Sequence, residues 1–162
     1  MIEDRNKVFS DLVIDSVRLL ILISKFDYKK TFKLTLDKIM LYDFYLQFPN
    51  TMFKNNKDVE IGNIDFFEYY SYYHWKPRDD QYLMALNYLI SKQLILRKIE
   101  NNKFYYLVSE LGVEFVNDLT SEYKLKLDRI ATIVKQKISK LSDETVENQI
   151  LEKIKFGIRY EG

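Results

Sequence analysis

The hydrophobic pattern of the chain changes its period near residue 93. Over residues 79–92 apolar side chains recur at steps of three and four, which predicts an amphipathic helix. The members of its apolar face are Tyr82, Leu83, Leu86, Leu89 and Ile90. Residues 94–99 and 104–108 are then short runs of β-branched and aromatic residues, with the polar stretch 100–103 between them. Two such runs around a short polar turn predict a β-hairpin.

A short helix is predicted directly after this hairpin. Ser109 is a suitable N-cap, and Leu111, Phe115 and Leu119 are expected on one side of the helix. A helix, a hairpin and a second helix in this order are typical of a winged helix. The sequence therefore predicts a mostly α fold with a small β-hairpin wing, in which N-terminal and C-terminal helices extend a winged-helix core.

Two helices are predicted ahead of that core. Residues 7–26 have a broad apolar face, and the opposite face is expected to meet solvent. The charged residues on that opposite face are Asp11, Asp15, Arg18 and Lys25. A second helix runs from about Thr35 to Phe48 and ends at Pro49. Its apolar pattern is interrupted by Asp43, which we expect to be partly buried.

Beyond residue 120 the sequence predicts two amphipathic helices. The apolar stripe of the first consists of Tyr123, Leu127, Ile130, Val134, Ile138 and Leu141, and that of the second consists of Val146, Ile150, Leu151 and Ile154. Because the polar faces of these helices carry opposite charges, we expect an antiparallel pair. The chain is thus divided into a helical winged-helix domain over 1–119 and C-terminal helices over 120–162, packed on that domain or on a partner. Ile130 and Val134 are predicted to bind the partner.

The densest aromatic cluster of the chain spans residues 65–77. Tyr69, Tyr73 and Trp75 are predicted to bind a partner here, since interface hot spots favour Tyr and Trp. The alternative is that these rings fill the space between the second helix and the winged-helix core. The segment also holds the only histidine, His74, for which we expect a structural role.

The charge distribution argues against a strong reader of DNA sequence. The chain has 25 basic and 24 acidic residues, so no overall charge attracts it to nucleic acid. The helix over 79–91 contains no basic residue and begins with two aspartates, and only its flanks carry lysine and arginine. We therefore expect protein binding there, with weak, sequence-independent DNA contact elsewhere. The residues predicted to contact the DNA backbone are Lys124, Lys126, Arg129 and Lys135.

Motifs for catalysis and cofactor binding are missing from the sequence. It has no cysteine, and its single histidine cannot form a catalytic triad or a histidine-rich metal site. Neither a P-loop nor a dinucleotide-binding glycine motif is present. We expect a protein without enzymatic activity, cofactor or metal. The absence of a signal peptide and of a bilayer-length apolar run predicts a cytoplasmic protein that does not enter a membrane.

Three segments taken together resemble a known family. They are LDKIMLYDFYLQFP at residues 36–49, YYHWKP at 72–77 and LNYLISKQLI at 86–95. The chain resembles, over about residues 10–120, the middle-component proteins of bacterial three-component ABC ATPase conflict systems, which include the C subunit of Lamassu-type anti-phage and anti-plasmid defence. That resemblance implies an accessory subunit bound to an SMC-like or Rad50-like ABC ATPase and to an effector, commonly a nuclease. It also implies that the subunit helps to hold the effector inactive until foreign DNA is sensed.

The alternative function is a stand-alone transcription regulator of the winged-helix type that dimerises through residues 120–156. The basic residues of the first C-terminal helix favour this alternative. The lack of basic residues in the helix over 79–91 disfavours it.

Overall fold

The structure, a computed structural model, describes residues 2–53 and 79–161. Within those ranges it has seven helices and one antiparallel hairpin. The elements are α1 (Ile2–Ile23), α2 (Leu36–Gln47), α3 (Pro49–Met52), α4 (Asp79–Ser91), β1 (Ile95–Glu100), β2 (Lys103–Val108), α5 (Glu110–Asp118), α6 (Glu122–Ile133) and α7 (Asp143–Glu161). One π-helical turn, Val134–Ile138, continues α6. A mostly helical chain with a small hairpin is confirmed, and the winged-helix assignment stays a prediction.

The end of α1 and nearly all of α2 form the centre of the structure. Every residue over 18–23 and over 39–46 is buried. A helix that is buried on all sides must have neighbours on all sides, since a helix with a single apolar stripe packs against the core on one side only. For α1 these neighbours are α2, α4 and α6, and α2 is also covered by α3, α6 and α7.

The first C-terminal helix belongs to this core. Ile130 is 4% exposed and Val134 is not exposed at all, so neither side chain can reach a partner. The prediction that these two residues bind a partner is therefore corrected. Both side chains pack inside this chain. Tyr123 was expected on the same stripe but lies in the first turn of α6 and is exposed. An ion pair of 2.6 Å between Lys25 Nζ and Asp128 Oδ1 also links the chain after α1 to α6.

The last helix packs mainly against α2 and α3 rather than against α6. This replaces the antiparallel pair expected from the charges of the two C-terminal helices. Lys38 Nζ lies 2.5 Å from Asp143 Oδ1, and the Tyr45 hydroxyl donates to Gln149 Oε1 at 3.0 Å. Burial raises the pKa of Tyr45 to about 12, which keeps its hydroxyl a donor. The apolar stripe of α7 is confirmed, with Val146 and Ile150 fully buried.

The predicted hairpin is confirmed, and local backbone geometry fixes where it begins. Gln93, two residues after the end of α4, has a left-handed backbone conformation with a φ of 63°. The amide of Leu94 then donates to the carbonyl of Leu89 at 3.0 Å, which is the hydrogen bond of a Schellman cap. At the other end, Asn101 and Asn102 have φ values of 53° and 62°, as a two-residue type I′ turn requires.

Apolar faces of two short helices differ from their prediction. Leu83 in α4 is exposed, and Ala85 lies at the buried position instead. In α5, the apolar side predicted from Leu111 and Phe115 is not the side that packs on the core, since these residues are 49% and 41% exposed. Gly112 and Val116 face the core of the described structure in their place.

Gly112 sets the orientation of α5 because the helix passes very close to the preceding segment. A Cβ atom at this position would lie 2.1 Å from the carbonyl oxygen of Leu94 and 2.8 Å from Cγ2 of Val108. The same region is fixed by Ser109, whose hydroxyl caps the Gly112 amide at 3.0 Å and donates to the carbonyl of Gln93. Only glycine allows this approach between α5 and the end of α4.

We predict that Gly112→Ala lowers the free energy of unfolding by about 1 to 3 kcal/mol, the usual cost of overpacking a close contact. Helix propensity alone predicts the opposite sign, a gain of about 1 kcal/mol for alanine over glycine. Chemical denaturation measures the difference, with Val113→Ala at an exposed position of the same helix as the control. A variant at Gly112 that is as stable as the parent would contradict the close approach.

Candidate functional site

A cluster of buried polar side chains joins α1, α2 and α4. The carboxylate of Asp43 accepts from Arg18 Nε at 2.7 Å and from Arg18 Nη2 at 3.1 Å. Its Oδ2 atom also accepts from the Tyr82 hydroxyl at 2.7 Å and from Gln47 Nε2 at 2.6 Å. At the edge of the cluster, Arg18 Nη1 donates to Asp15 at 3.0 Å. We call these five residues the Asp43 cluster.

Burial makes the pairing within the Asp43 cluster obligatory. Asp43 is not exposed and Arg18 is 8% exposed, and a buried charge is tolerated only when it is paired and hydrogen-bonded. Burial opposes the charge on Arg18, but its attraction and hydrogen bonds to Asp43 outweigh this effect and raise the pKa of Arg18. Burial, followed by the Asp43 carboxylate, raises the pKa of Tyr82, so its hydroxyl stays a donor.

The geometry gives the Asp43 cluster a structural role rather than a chemical one. Both oxygens of Asp43 already accept hydrogen bonds from protein groups. Four hydrogen bonds from three side chains of the protein thus converge on this carboxylate and hold it between the helices. In the part of the chain that the structure describes, no set of histidine and carboxylate side chains could hold a metal ion.

The sequence indicated only half of this cluster. Asp43 was expected to be partly buried, and it is fully buried. The prediction that Arg18 faces solvent is wrong, because its guanidinium is buried and pairs with Asp43 of α2. A buried carboxylate requires a cationic partner, so Asp43 itself was the signal.

The tip of the hairpin exposes an apolar pair on one of its faces. Ile99 is 66% exposed and its cross-strand neighbour Phe104 is 47% exposed. The guanidinium carbon of Arg97 lies 4.9 Å from the centre of the Phe104 ring. We call these three residues the apolar tip. Toward the base of the same face, Ile95 and Tyr106 are buried, so the core holds one end of the face while the tip is open to solvent.

The outer side of α5 is a second exposed apolar surface. Leu111 and Phe115, four residues apart and therefore neighbours on the helix surface, are each more than two-fifths exposed. Large apolar patches on a monomer usually mark sites of protein or membrane interaction. The apolar tip and this side of α5 are therefore candidate interaction sites. No helix in the described ranges is long and apolar enough to cross a bilayer.

The residues predicted for partner and DNA binding have different outcomes. Tyr69, Tyr73 and Trp75 lie outside the described residues, as does His74. The predicted DNA contacts lie on α6 and its π-helical turn, where Arg129 and Lys135 are exposed, and Lys124 and Lys126 are half-buried. A role in DNA binding stays a prediction for these four residues.

A family model matches most of the chain. It is described as ABC-three component (ABC-3C) system Middle Component 2, abbreviated MC2, and it covers residues 8–158. The match therefore includes the Asp43 cluster, the hairpin and both C-terminal helices. Among curated proteins and solved structures, none gives a significant match.

We predict that Asp43→Asn lowers the free energy of unfolding by about 3 kcal/mol, because among the described residues it removes the only buried carboxylate that pairs with Arg18 and leaves the partly exposed Asp15 as its one charged partner. Asp37→Asn, at an exposed position of the same helix, is the control and should cost less than about 1 kcal/mol. Replacing both charges, as Arg18→Met with Asp43→Leu, should recover much of the loss, since no unpaired buried charge remains. Equal stability of Asp43→Asn and Asp37→Asn in urea denaturation would refute this account of the cluster.

Proposed function

The chain belongs to the middle component 2 family of ABC-three component systems, and we propose that it works in such a system as a non-catalytic accessory subunit. The family match over residues 8–158 is the observation that carries this proposal. The geometry supports it, because the two charged residues buried in the described core, Arg18 and Asp43, pair with each other and hold helices together. Partner binding is then the remaining function of the exposed surfaces.

We propose that the partners are an SMC-like or Rad50-like ABC ATPase and a nuclease effector, encoded as components of the same system. The subunit bridges the two and helps to hold the effector inactive until foreign DNA is sensed. The resemblance to the C subunit of Lamassu-type anti-phage and anti-plasmid defence supports this more specific role. Two segments behind that resemblance, 36–49 and 86–95, contain the whole of α2 and the junction of α4 with β1. They therefore support a shared fold more directly than a shared binding surface.

The apolar tip is the surface that we propose for partner contact. Ile99 and Phe104 project from a hairpin whose base is fixed in the core. Little conformational entropy is therefore lost when they bind a partner. Aromatic and arginine side chains dominate interface hot spots, and here Arg97 already packs over the Phe104 ring. Exposure of these apolar side chains to water is unfavourable, and their burial against a partner would lower the free energy of the complex.

The exposed side of α4 argues against the alternative, a stand-alone transcription regulator. Asp79, Asp80 and Met84 are exposed there, and these residues offer phosphates no attraction. The basic residues of α6 favour the regulator, since Arg129 and Lys135 are exposed. A regulator of this kind would bind one DNA sequence much more tightly than others and would need no ATPase partner.

The test is co-purification from cells that express all components of the native operon, with an affinity tag on this chain. We predict that the ATPase co-purifies with the parent chain, and that Ile99→Asp combined with Phe104→Asp abolishes its recovery. Loss of a hot spot costs about 2 kcal/mol or more, which is roughly thirtyfold in affinity. Leu125→Asp, at another exposed apolar position, is the matched control and should keep the complex intact.

The outcome separates the two parts of the proposal. Equal recovery of the ATPase with the hairpin variant and the control would exclude the apolar tip as the contact. Failure of the parent chain to bring down any component of its operon would contradict the accessory-subunit role itself. Thermal unfolding of each purified variant shows whether a loss of binding reflects a loss of fold.

A further inference from the structure

The face of the hairpin opposite the apolar tip carries lysines that pack on tyrosine rings. The Nζ atom of Lys98 lies 5.9 Å from the centre of the Tyr28 ring. That ring is 6.0 Å from the ring of Tyr105, and Lys33 Nζ lies 5.6 Å from the centre of the Tyr105 ring. Two tyrosines thus join β1, β2 and the loop before α2, with a lysine against each ring.

Strand register places the other charges on the same face. Lys98 pairs with Tyr105 and Glu100 with Lys103, so these four residues share one side of the hairpin. Glu100 Oε2 is 2.6 Å from Lys33 Nζ, which binds the hairpin to the loop before α2. That loop also exposes Lys29 and Lys30 beside Tyr28. We call Lys29, Lys30, Lys33, Lys98 and Lys103 the basic patch.

The basic patch concentrates positive charge that the chain as a whole lacks. It contains five lysines against two nearby carboxylates, Asp27 and Glu100, although the net charge of the complete chain is only +1. Four of the lysines are exposed, the exception being Lys33, and those four have no carboxylate partner among the described residues. A local patch of this kind attracts a polyanion even when the whole protein is nearly neutral.

We infer that the basic patch binds the phosphate backbone of duplex DNA. Its cations are all lysines, which act as point charges toward phosphates. Duplex DNA presents a dense and regular line of such phosphates, which this concentration of positive charge complements. The one arginine of the hairpin, Arg97, lies on the opposite face with Phe104. Because lysine contacts to phosphates carry no sequence information, binding here is independent of base sequence. The inference does not rest on the accessory-subunit role.

Fluorescence anisotropy of a labelled duplex of arbitrary sequence, titrated with the full-length chain at several salt concentrations, tests this inference. The patch variant combines Lys30→Gln, Lys98→Gln and Lys103→Gln. Each lost phosphate contact removes roughly 0.9 from the slope of log affinity against log salt, so the variant should lose up to about 2.7. The matched control combines Arg5→Gln, Lys92→Gln and Lys140→Gln, which removes the same charge from exposed positions outside the patch and should leave the slope close to that of the parent. A third variant, Lys124→Gln with Lys126→Gln and Arg129→Gln, tests the DNA contacts predicted on α6.

Each outcome decides the inference. A reduced slope and weaker binding in the patch variant, larger than in the matched control, support it whether or not the α6 variant also binds more weakly. Binding by the patch variant that equals that of the matched control, loss of binding in the α6 variant alone, or no binding of duplex by the parent chain at low salt overturns it. Thermal unfolding of all three variants confirms that the charge changes leave the fold intact. Co-purification with the operon components is measured separately, so failure of one proposal is distinguishable from failure of the other.

Discussion

The structure depends on the burial of one carboxylate. Asp43 lies on a helix that is surrounded by protein, so its charge must be neutralised from neighbouring elements. Arg18 supplies the opposite charge from α1, and Tyr82 supplies a hydroxyl from α4. A buried pair of this kind stabilises less than an apolar contact of equal size would, but breaking it is costly. It therefore specifies how three helices meet, which apolar packing alone does less sharply.

The position of the hairpin follows from that of α4. The cap at Gln93 leads directly into β1, and Gly112 brings α5 against the same junction. The backbone amide of Tyr106 also donates to the carbonyl of Leu34 at 3.0 Å, which ties β2 to the segment before α2. The hairpin is thereby held at its base and presents two different faces near its tip. One face is apolar, as protein contact favours, and the other is basic, as contact with phosphates favours.

Local features of the fold could be predicted from the sequence, whereas contacts between distant elements could not. The hairpin, the Ser109 cap and the limits of α4 depend on residues a few positions apart, and their patterns were sufficient. The partnership of Arg18 with Asp43 spans 25 positions and left only one sign, a carboxylate within an apolar helix. The orientation of α5 also differed from its periodicity, because a close approach at Gly112 outweighed the burial of Leu111 and Phe115. Ile130 and Val134 showed that an amphipathic stripe predicts burial without indicating whether the covering surface belongs to the same chain.

Native-state hydrogen exchange tests the central claim most directly, which is that the Asp43 cluster makes α1, α2 and α4 one cooperative unit. Amides in the buried parts of these three helices should exchange only through a common opening, with one free energy close to that of global unfolding. In Asp43→Asn, the free energy of this common opening should fall by the same amount for all three helices. Exchange of the α4 amides at a distinctly lower free energy than those of α1 and α2 in the parent protein would contradict the claim, because the hairpin would then be carried by an element that opens independently.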